Sequence, residues 1–316
     1  MRIVSLLPSA TETLFALGLH DEIVGVSHEC DYPAEALTKT RVVKSRLPKD
    51  AAPAEIDRLV REHVDRGESI YAVDQDLVEE LKPDLIVTQD LCHVCAATPK
   101  ELGAVLAQIS VRPEVLSLDP LDLGDVWRDI LYIGEATGRR ERAQEFVENI
   151  GARLAHIEVE TASFRAQPKA VVLEWLDPLY VGGHWVPEMV GAAGGVEVLG
   201  QVQKPGLRVT MQEIIAAAPE VLFIAPCGYD AERARKEYLS MSWPREWQMV
   251  PAVRDGRVFA LDANAYVSRP AGRLVTGIEA MAKGLHPEMK VREKAKAAMV
   301  PVGEPTRMAR GAGAES

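Results

Sequence analysis

Cys92 and Cys95 bracket His93 in the stretch Thr88-Gln89-Asp90-Leu91-Cys92-His93-Val94-Cys95. The spacing C-x-x-C serves structural zinc sites and redox dithiols, since two thiols three residues apart can reach one metal ion or each other. A closed zinc site takes four ligands, and no second local pair follows. Cys30 and Cys227 also come just after apolar runs, so Cys30, Cys92, Cys95 and Cys227 form the candidate metal set, for zinc or an iron-sulfur cluster. Simple burial is the alternative, because free cysteine packs as a small apolar residue. A thioredoxin-like role fits less well: that motif opens a helix, whereas here the helix waits for a Thr98-Pro99-x-Glu101 start.

The densest polar and aromatic stretch runs from Glu174 to Pro187, "EWLDPLYVGGHWVP", in a chain only 5% aromatic. Trp175 and Trp185 could wall a flat ligand, Gly183 could bring backbone close to it, and Glu174 and His184 could bind it, His184 even at a metal centre. The same residues could instead build a turn in which Trp185 staples the helix begun at Pro187. Pro8 and Ser9, in "SLLPSATE", mark a strand-to-helix turn, with Ser9 or Thr11 expected to cap the helix and its amides free to meet a polar or anionic group. Asp31 and Tyr32 precede Pro33, as a platform for a flat ligand or as a local turn. Gln89 ends an apolar run, and Tyr229 follows Cys227. Tyr266 and Arg269 precede the last long helix, with Arg269 suited to a carboxylate, amide or phosphate. Trp247 is expected to pack, and Trp243 to pack or line a rim. No G-x-S-x-G, Walker loop, H-E-x-x-H or G-x-G-x-x-G occurs, so the expectation is a protein that binds and does not catalyse.

The elements that must carry these residues alternate between strand and helix: "RIVSLL", "TETLFALGL", "EIVGVS", an insertion, "LVEELKP", "DLIVTQ" and "PEVLSLD". Such alternation predicts a parallel α/β sheet. A long apolar pattern at three and four spacing from "LGDVW" to "HIEVE" predicts one continuous helix, with Gly134 and Gly138 its weakest points. A second unit then restarts with "KAVVLEW". "LVEELKPDLIVTQDLC" is echoed by "MQEIIAAAPEVLFIAPC": a helix, a proline that stops it, a buried strand and a cysteine just past its end. Open parallel sheets bind ligands outside the carboxyl ends of their strands, which is where these cysteines fall.

At 316 residues, 47% of them hydrophobic, the chain can bury a large core, and its net charge of -11 argues against a nucleic-acid surface. No run approaches the ~20 apolar residues of a membrane span, so no membrane insertion is expected. The first residues read straight into a strand, from which a cytoplasmic protein is expected, or an extracytoplasmic one if a leader has been trimmed.

"RIVSLLPSATETLFALGL", "VGVSHECDYP", "VEELKPDLIVTQ" and the helix after "LDPLDLGDV" resemble the cobalamin and iron-siderophore binding proteins of ABC importers, from residue 2 to about 285. The cobalamin-binding branch is the nearest match. That resemblance implies an α/β fold of two Rossmann-like lobes with parallel sheets, joined by a long rigid helix, with the ligand cleft between the lobes. The expected division is 1–120, a connecting helix 121–165, a second lobe 166–290 and a disordered tail 291–316. It also implies a non-enzymatic protein whose ligand is a corrinoid (cobalamin-like) or a related small-molecule metal chelate, and whose partner is an ABC permease; a monomer is expected. The insertion "RLPKDAAPAEIDRLVREHVDRGESIYAVD" and the four cysteines depart from the family pattern. They sustain two further readings, a cytoplasmic metal or iron-sulfur protein on the same scaffold, and a scaffold that binds a protein partner.

Overall fold

The computed structural model describes residues 1–48, 53–66, 70–89, 99–110 and 112–303. They form two units, Met1–Gly151 with Pro270–Gly272, and Ala152–Arg269 with the chain from Arg273 onward.

The first unit runs β1 (Ile3–Ser5), α1 (Pro8–Ala16), β2 (Ile23–Val26), β3 (Thr40–Arg41), β4 (Val43–Ser45), α2 (Pro53–Asp65), β5 (Tyr71–Val73), α3 (Gln75–Leu81), β6 (Leu85–Gln89), α4 (Pro99–Leu106), β7 (Glu114–Leu118) and α5 (Leu123–Ala136). Its main sheet has the order β3-β2-β1-β6-β7, every pair parallel. β1 and β6 are buried along their whole length, as strands covered on both faces must be. The chain winds outward from β1 to β3 and then crosses back to β6 on the other side of β1. The order therefore reverses between β1 and β6. The insertion noted in the sequence lies between β3 and β6; β4 and β5 pair antiparallel there, and Val60 of α2 packs on the core of Val4, Leu6 and Ile86.

The continuous connecting helix is corrected to two helices, α5 and α6 (Arg140–Ala162). Gly138 takes φ +67, and the Arg139 amide closes back onto the Gly134 carbonyl at 2.7 Å. That left-handed residue ends α5 as C-terminal glycines do, although the apolar spacing runs on through the break.

The second unit runs β8 (Lys169–Leu176), β9 (Leu179–Val181), α7 (Val186–Ala192), β10 (Val196–Glu197), β11 (Leu207–Arg208), α8 (Met211–Ala217), β12 (Val221–Ile224), α9 (Ala231–Ser240), α10 (Pro251–Arg254), β13 (Val258–Leu261), α11 (Ala263–Tyr266), α12 (Leu274–Leu285), α13 (Glu293–Ala297) and β14 (Met299–Pro301). Its sheet follows β11-β9-β8-β12-β13-β14, with β10 also on β8. β10, β8, β12 and β13 are parallel; β9, β11 and β14 run against their neighbours, so this sheet is mixed rather than wholly parallel. The tail expected to be disordered from 291 is ordered through residue 303, because β14 pairs with β13 and completes the sheet; residues 304–316 lie outside the described residues.

The helix-proline-strand echo is real. α3 and α8 each end on a non-glycine residue in the left-handed region, Lys82 (φ 44) and Ala218 (φ 48), immediately before Pro83 and Pro219. The ring of a following proline disfavours the right-handed helical region, so both segments leave the helix the same way. Trp243 and Trp247 are buried and stacked at 4.4 Å, with their indole N–H groups donating to the Tyr238 carbonyl and hydroxyl. Both therefore pack the second core.

Candidate functional site

In open α/β sheets ligand groups collect at the carboxyl ends of the strands, above all where the strand order reverses. In the first unit that place is the β1/β6 junction. Beyond β1, Leu7 is the extended N-cap (φ -144, ψ 145), Pro8 occupies the first helical turn, and no side chain caps α1. The expected cap by Ser9 or Thr11 is not formed. Proline at the first helical position starts the helix before either residue, and both lie inside it. Thr11 Oγ1 instead lies 2.8 Å from Ser5 Oγ, 3.2 Å from the Leu7 carbonyl and 3.1 Å from Cys30 Sγ. Ser9 and Gln89 are nearly buried, at 4% and 5% exposure, and Pro8 is half-buried. Cys92 and Cys95 lie outside the described residues.

The segment after β2 carries Asp31 and Tyr32, both exposed. Arg41 holds it from β3: its Nη1 donates to the Ser27 carbonyl at 2.7 Å and the Cys30 carbonyl at 2.6 Å. Tyr32 lines a recess of about 590 Å³ together with Glu12, Phe15 and Ala16 of α1 and with His20 and Asp21 beyond its end.

In the second unit, β8 lies beside β12, and this neighbourhood brings candidate residues together. Trp175, at the end of β8, donates its indole N–H to the Asp177 carbonyl at 3.1 Å and meets Tyr229 edge-on at 5.9 Å. The Arg233 guanidinium stands 3.8 Å over the Tyr229 ring. Burial raises the Tyr229 hydroxyl above its ordinary range, while the Arg233 charge pulls it back. Past β12, the Cys227 amide donates to the Glu174 carbonyl at 3.2 Å and its sulfur accepts from Ser268 Oγ at 3.5 Å. The Asn264 amide donates to the Tyr229 carbonyl at 3.1 Å. The Glu174 carboxylate lies over Gly206, where a Cβ would stand 1.6 Å from Oε1. Arg233 and Ser268 were missed in the sequence. Arg233 was findable, because it stands in the first turn of a helix whose cap, Asp230, directly follows Tyr229, which puts a long basic side chain beside that ring.

Gly183, His184 and Trp185 are taken up by contacts within the chain itself. At Gly183 a Cβ would stand 2.2 Å from the Lys204 carbonyl, so this glycine admits the chain's own backbone, not a ligand. His184 has φ 50 and is tied backbone to backbone to Lys204 and Gln203, its ring stacked on Trp185. Trp185 is 5% exposed and donates to the Val267 carbonyl at 2.8 Å. It is a buried pin and cannot be the flat ligand wall expected of it. Tyr266 ends α11 with the Arg273 guanidinium 5.6 Å over its ring. Arg269 is 8% exposed; burial pushes the Asp262 carboxyl up, and Arg273 and Arg269 draw it back.

Cys30 is fully buried in the first unit, whereas Cys227 is exposed in the second. Among the described residues no three His, Cys, Asp or Glu side chains are grouped to hold a metal ion. Zinc or an iron-sulfur cluster therefore finds no support in this pair. Among the same residues no helix is long and apolar enough to cross a membrane.

Residues 3–265 match the family model described as periplasmic binding protein. The vitamin B12-binding protein of Vibrio cholerae is 24% identical over 285 residues, 88% of this chain and 86% of its own. An ABC transporter substrate-binding lipoprotein of Bacillus subtilis is 25% identical over 296 residues, 91% of this chain and 80% of its own. The solved structure of the periplasmic vitamin B12 binding protein of Vibrio cholerae aligns with a TM-score of 0.65 at 25% identity, covering 90% of this chain and 96% of that one. A periplasmic heme binding protein from Pseudomonas aeruginosa aligns with a TM-score of 0.71 at 19% identity, covering 98% and 99%. The expectation of a cytoplasmic protein is corrected by these matches, which are periplasmic proteins and a lipoprotein. A compartment is set by a removable leader, about which the first residues of a folded unit carry no information.

Proposed function

The chain belongs to the periplasmic binding protein family, and we propose from that premise that it is the substrate-binding component of an ABC importer whose cargo is a large planar metal chelate, a corrinoid before heme. The observation that carries this reading is the aromatic pair at the carboxyl ends of β8 and β12, with Trp175 fixed by the Asp177 carbonyl and braced by Tyr229. A half-buried indole held by its own N–H offers apolar area to a flat ring system with little entropy left to lose. The polar groups near these strand ends are Ser9 and Gln89 in one unit and Glu174, with Asn264 past β13, in the other, and the guanidinium beside them, Arg233, is laid on the Tyr229 ring. Such groups suit the amide rim of a corrinoid, and they suit the two carboxylates of heme less well. A vitamin B12-binding protein is 24% identical over 88% of the chain, which favours the same choice.

Protein isolated from cells supplied with both cobalamin and heme tests the reading by elemental analysis and visible absorption. Stoichiometric cobalt is the expected result. Iron with a heme spectrum would replace the corrinoid by heme, and a colourless protein without either metal would end the planar-chelate reading.

A further inference from the structure

Arg41 stands on the edge strand β3, yet its guanidinium is spent inward on the loop that leaves β2. One nitrogen donates to two carbonyls, Ser27 at 2.7 Å and Cys30 at 2.6 Å. The loop is held from its other side too, where Thr11 Oγ1 lies 3.1 Å from Cys30 Sγ and 2.8 Å from Ser5 Oγ. Thr11 belongs to the helix that opens at Pro8 and Ser9, so the same hydroxyl ties the β1 turn to the β2 loop. Cys30 suits this place as a small, fully buried side chain whose sulfur still accepts a hydroxyl proton.

We propose that Arg41 and Thr11, acting through Cys30, are positioning residues that fix the Asp31-Tyr32 loop against the Pro8-Ser9 turn and so preset this edge of the ligand site. The inference rests on the reading that the ligand is bound at these strand ends. The physical reason is that exposed loop residues must be ordered when a ligand arrives unless the scaffold has ordered them already. The terminal nitrogen of a planar guanidinium holds its two N–H groups in fixed directions, one for each carbonyl, whereas an ammonium turns freely about its stem and defines the pair less well. The arrangement also gives Cys30 a part that needs no metal.

The test uses the full chain with cyanocobalamin and hemin as probes, and compares Arg41→Met, Arg41→Lys and Thr11→Val. Arg139→Met serves as a control, because its ion pair with Glu22 at 3.0 Å lies in the same unit but does not touch this loop. Amide exchange over residues 28–33 is measured without ligand, and Kd by tryptophan quenching. Arg41→Met and Thr11→Val should both speed exchange in that loop and weaken the probe that the wild type binds by about tenfold, the usual scale for a supporting residue. Arg41→Lys should recover part of both effects, while Arg139→Met should lower Tm and leave both unchanged. Thr11→Val decides the matter if Arg41→Met does not fold. Wild-type exchange or wild-type Kd in the folded variants would overturn the inference alone. A wild type that binds neither probe would overturn the reading beneath it, and the inference with it.

Discussion

Trp175 and Trp185 stand ten positions apart in one motif and do different things. Trp175 is half-buried at a strand end, its N–H satisfied locally and its ring supported by Tyr229. Truncation to alanine should weaken ligand binding by about thirtyfold, the roughly 2 kcal/mol of a binding hot spot, and, because part of the ring packs on the second core, should lower the urea midpoint less than Trp185→Ala does. Trp185 is buried, and its indole N–H is taken by the Val267 carbonyl. Trp185→Ala should cost about 3–5 kcal/mol of folding stability, and Trp185→Phe, which strands that carbonyl, about 1–3 kcal/mol. The opposite assignment, with Kd moving for Trp185→Phe and the larger stability loss falling on Trp175→Ala, would place the ligand wall on the wrong tryptophan. Both residues were visible in the sequence as aromatic candidates. Their difference was not, because burial and the Val267 partner come from a segment far along the chain.

At the scale of elements, the turn between β9 and α7 is built by contact of backbone with backbone. Gly183 faces the Lys204 carbonyl, the Pro205 carbonyl carbon and the Gly206 nitrogen, with a hypothetical Cβ between 2.2 and 2.7 Å from each. Backbone on that side cannot move aside as a flexible side chain would. Gly183→Ala should therefore destabilise the protein by about 1–3 kcal/mol, as overpacking does. Gly151→Ala in α6 is the counter-case, with nothing within 4 Å of the added carbon, and should gain about 0.5–1 kcal/mol from helix propensity. Equal unfolding midpoints for the two variants would refute this account of the turn. The "GGHW" spelling announced a turn or a ligand loop equally well. Only the position of residues 204–206 separates the two. The break between α5 and α6 shows the reverse situation, since Gly138 was on the page as a weak point while the apolar period ran across it unbroken.

For the molecule as a whole, each unit has among its described residues an enclosed carboxyl that burial pushes up towards neutrality. Burial, reinforced by Asp125, pushes Asp129 of the first unit from an ordinary 3.8 up to about 7. Burial pushes Glu197 of the second unit up to about 7 as well, against the pull of the Gly200, Leu199 and Val172 amides that donate to it. Between the ordinary values and 7 the folded state keeps protons that the unfolded chain has released, so stability falls as pH rises through that window. The ligand-free chain should be more stable at pH 5.5 than at pH 8, by a few kcal/mol at most. Asp129→Asn should raise Tm at pH 8 more than at pH 5.5. A gain of the same size at both pH values would remove Asp129 from this role.

Composition and periodicity alone determined that the chain is α/β, that buried strands such as β6 and β12 end in loops able to carry function, and that two halves share a helix-proline-strand plan. These are local properties: apolar spacing records which face is buried, and proline records where a helix must stop. Tertiary structure alone decided that β8 lies beside β12, so that Trp175 meets Tyr229, and that β1 lies beside β6, so that the switch point falls at Pro8, Ser9 and Gln89. It also decided that Arg41 and Thr11 close on Cys30 from two sides, and that Trp185 faces inward. A period of two or of 3.6 says that a side chain is covered, but not by what; the covering group arrives from elsewhere in the chain, and pairing of strands chooses it.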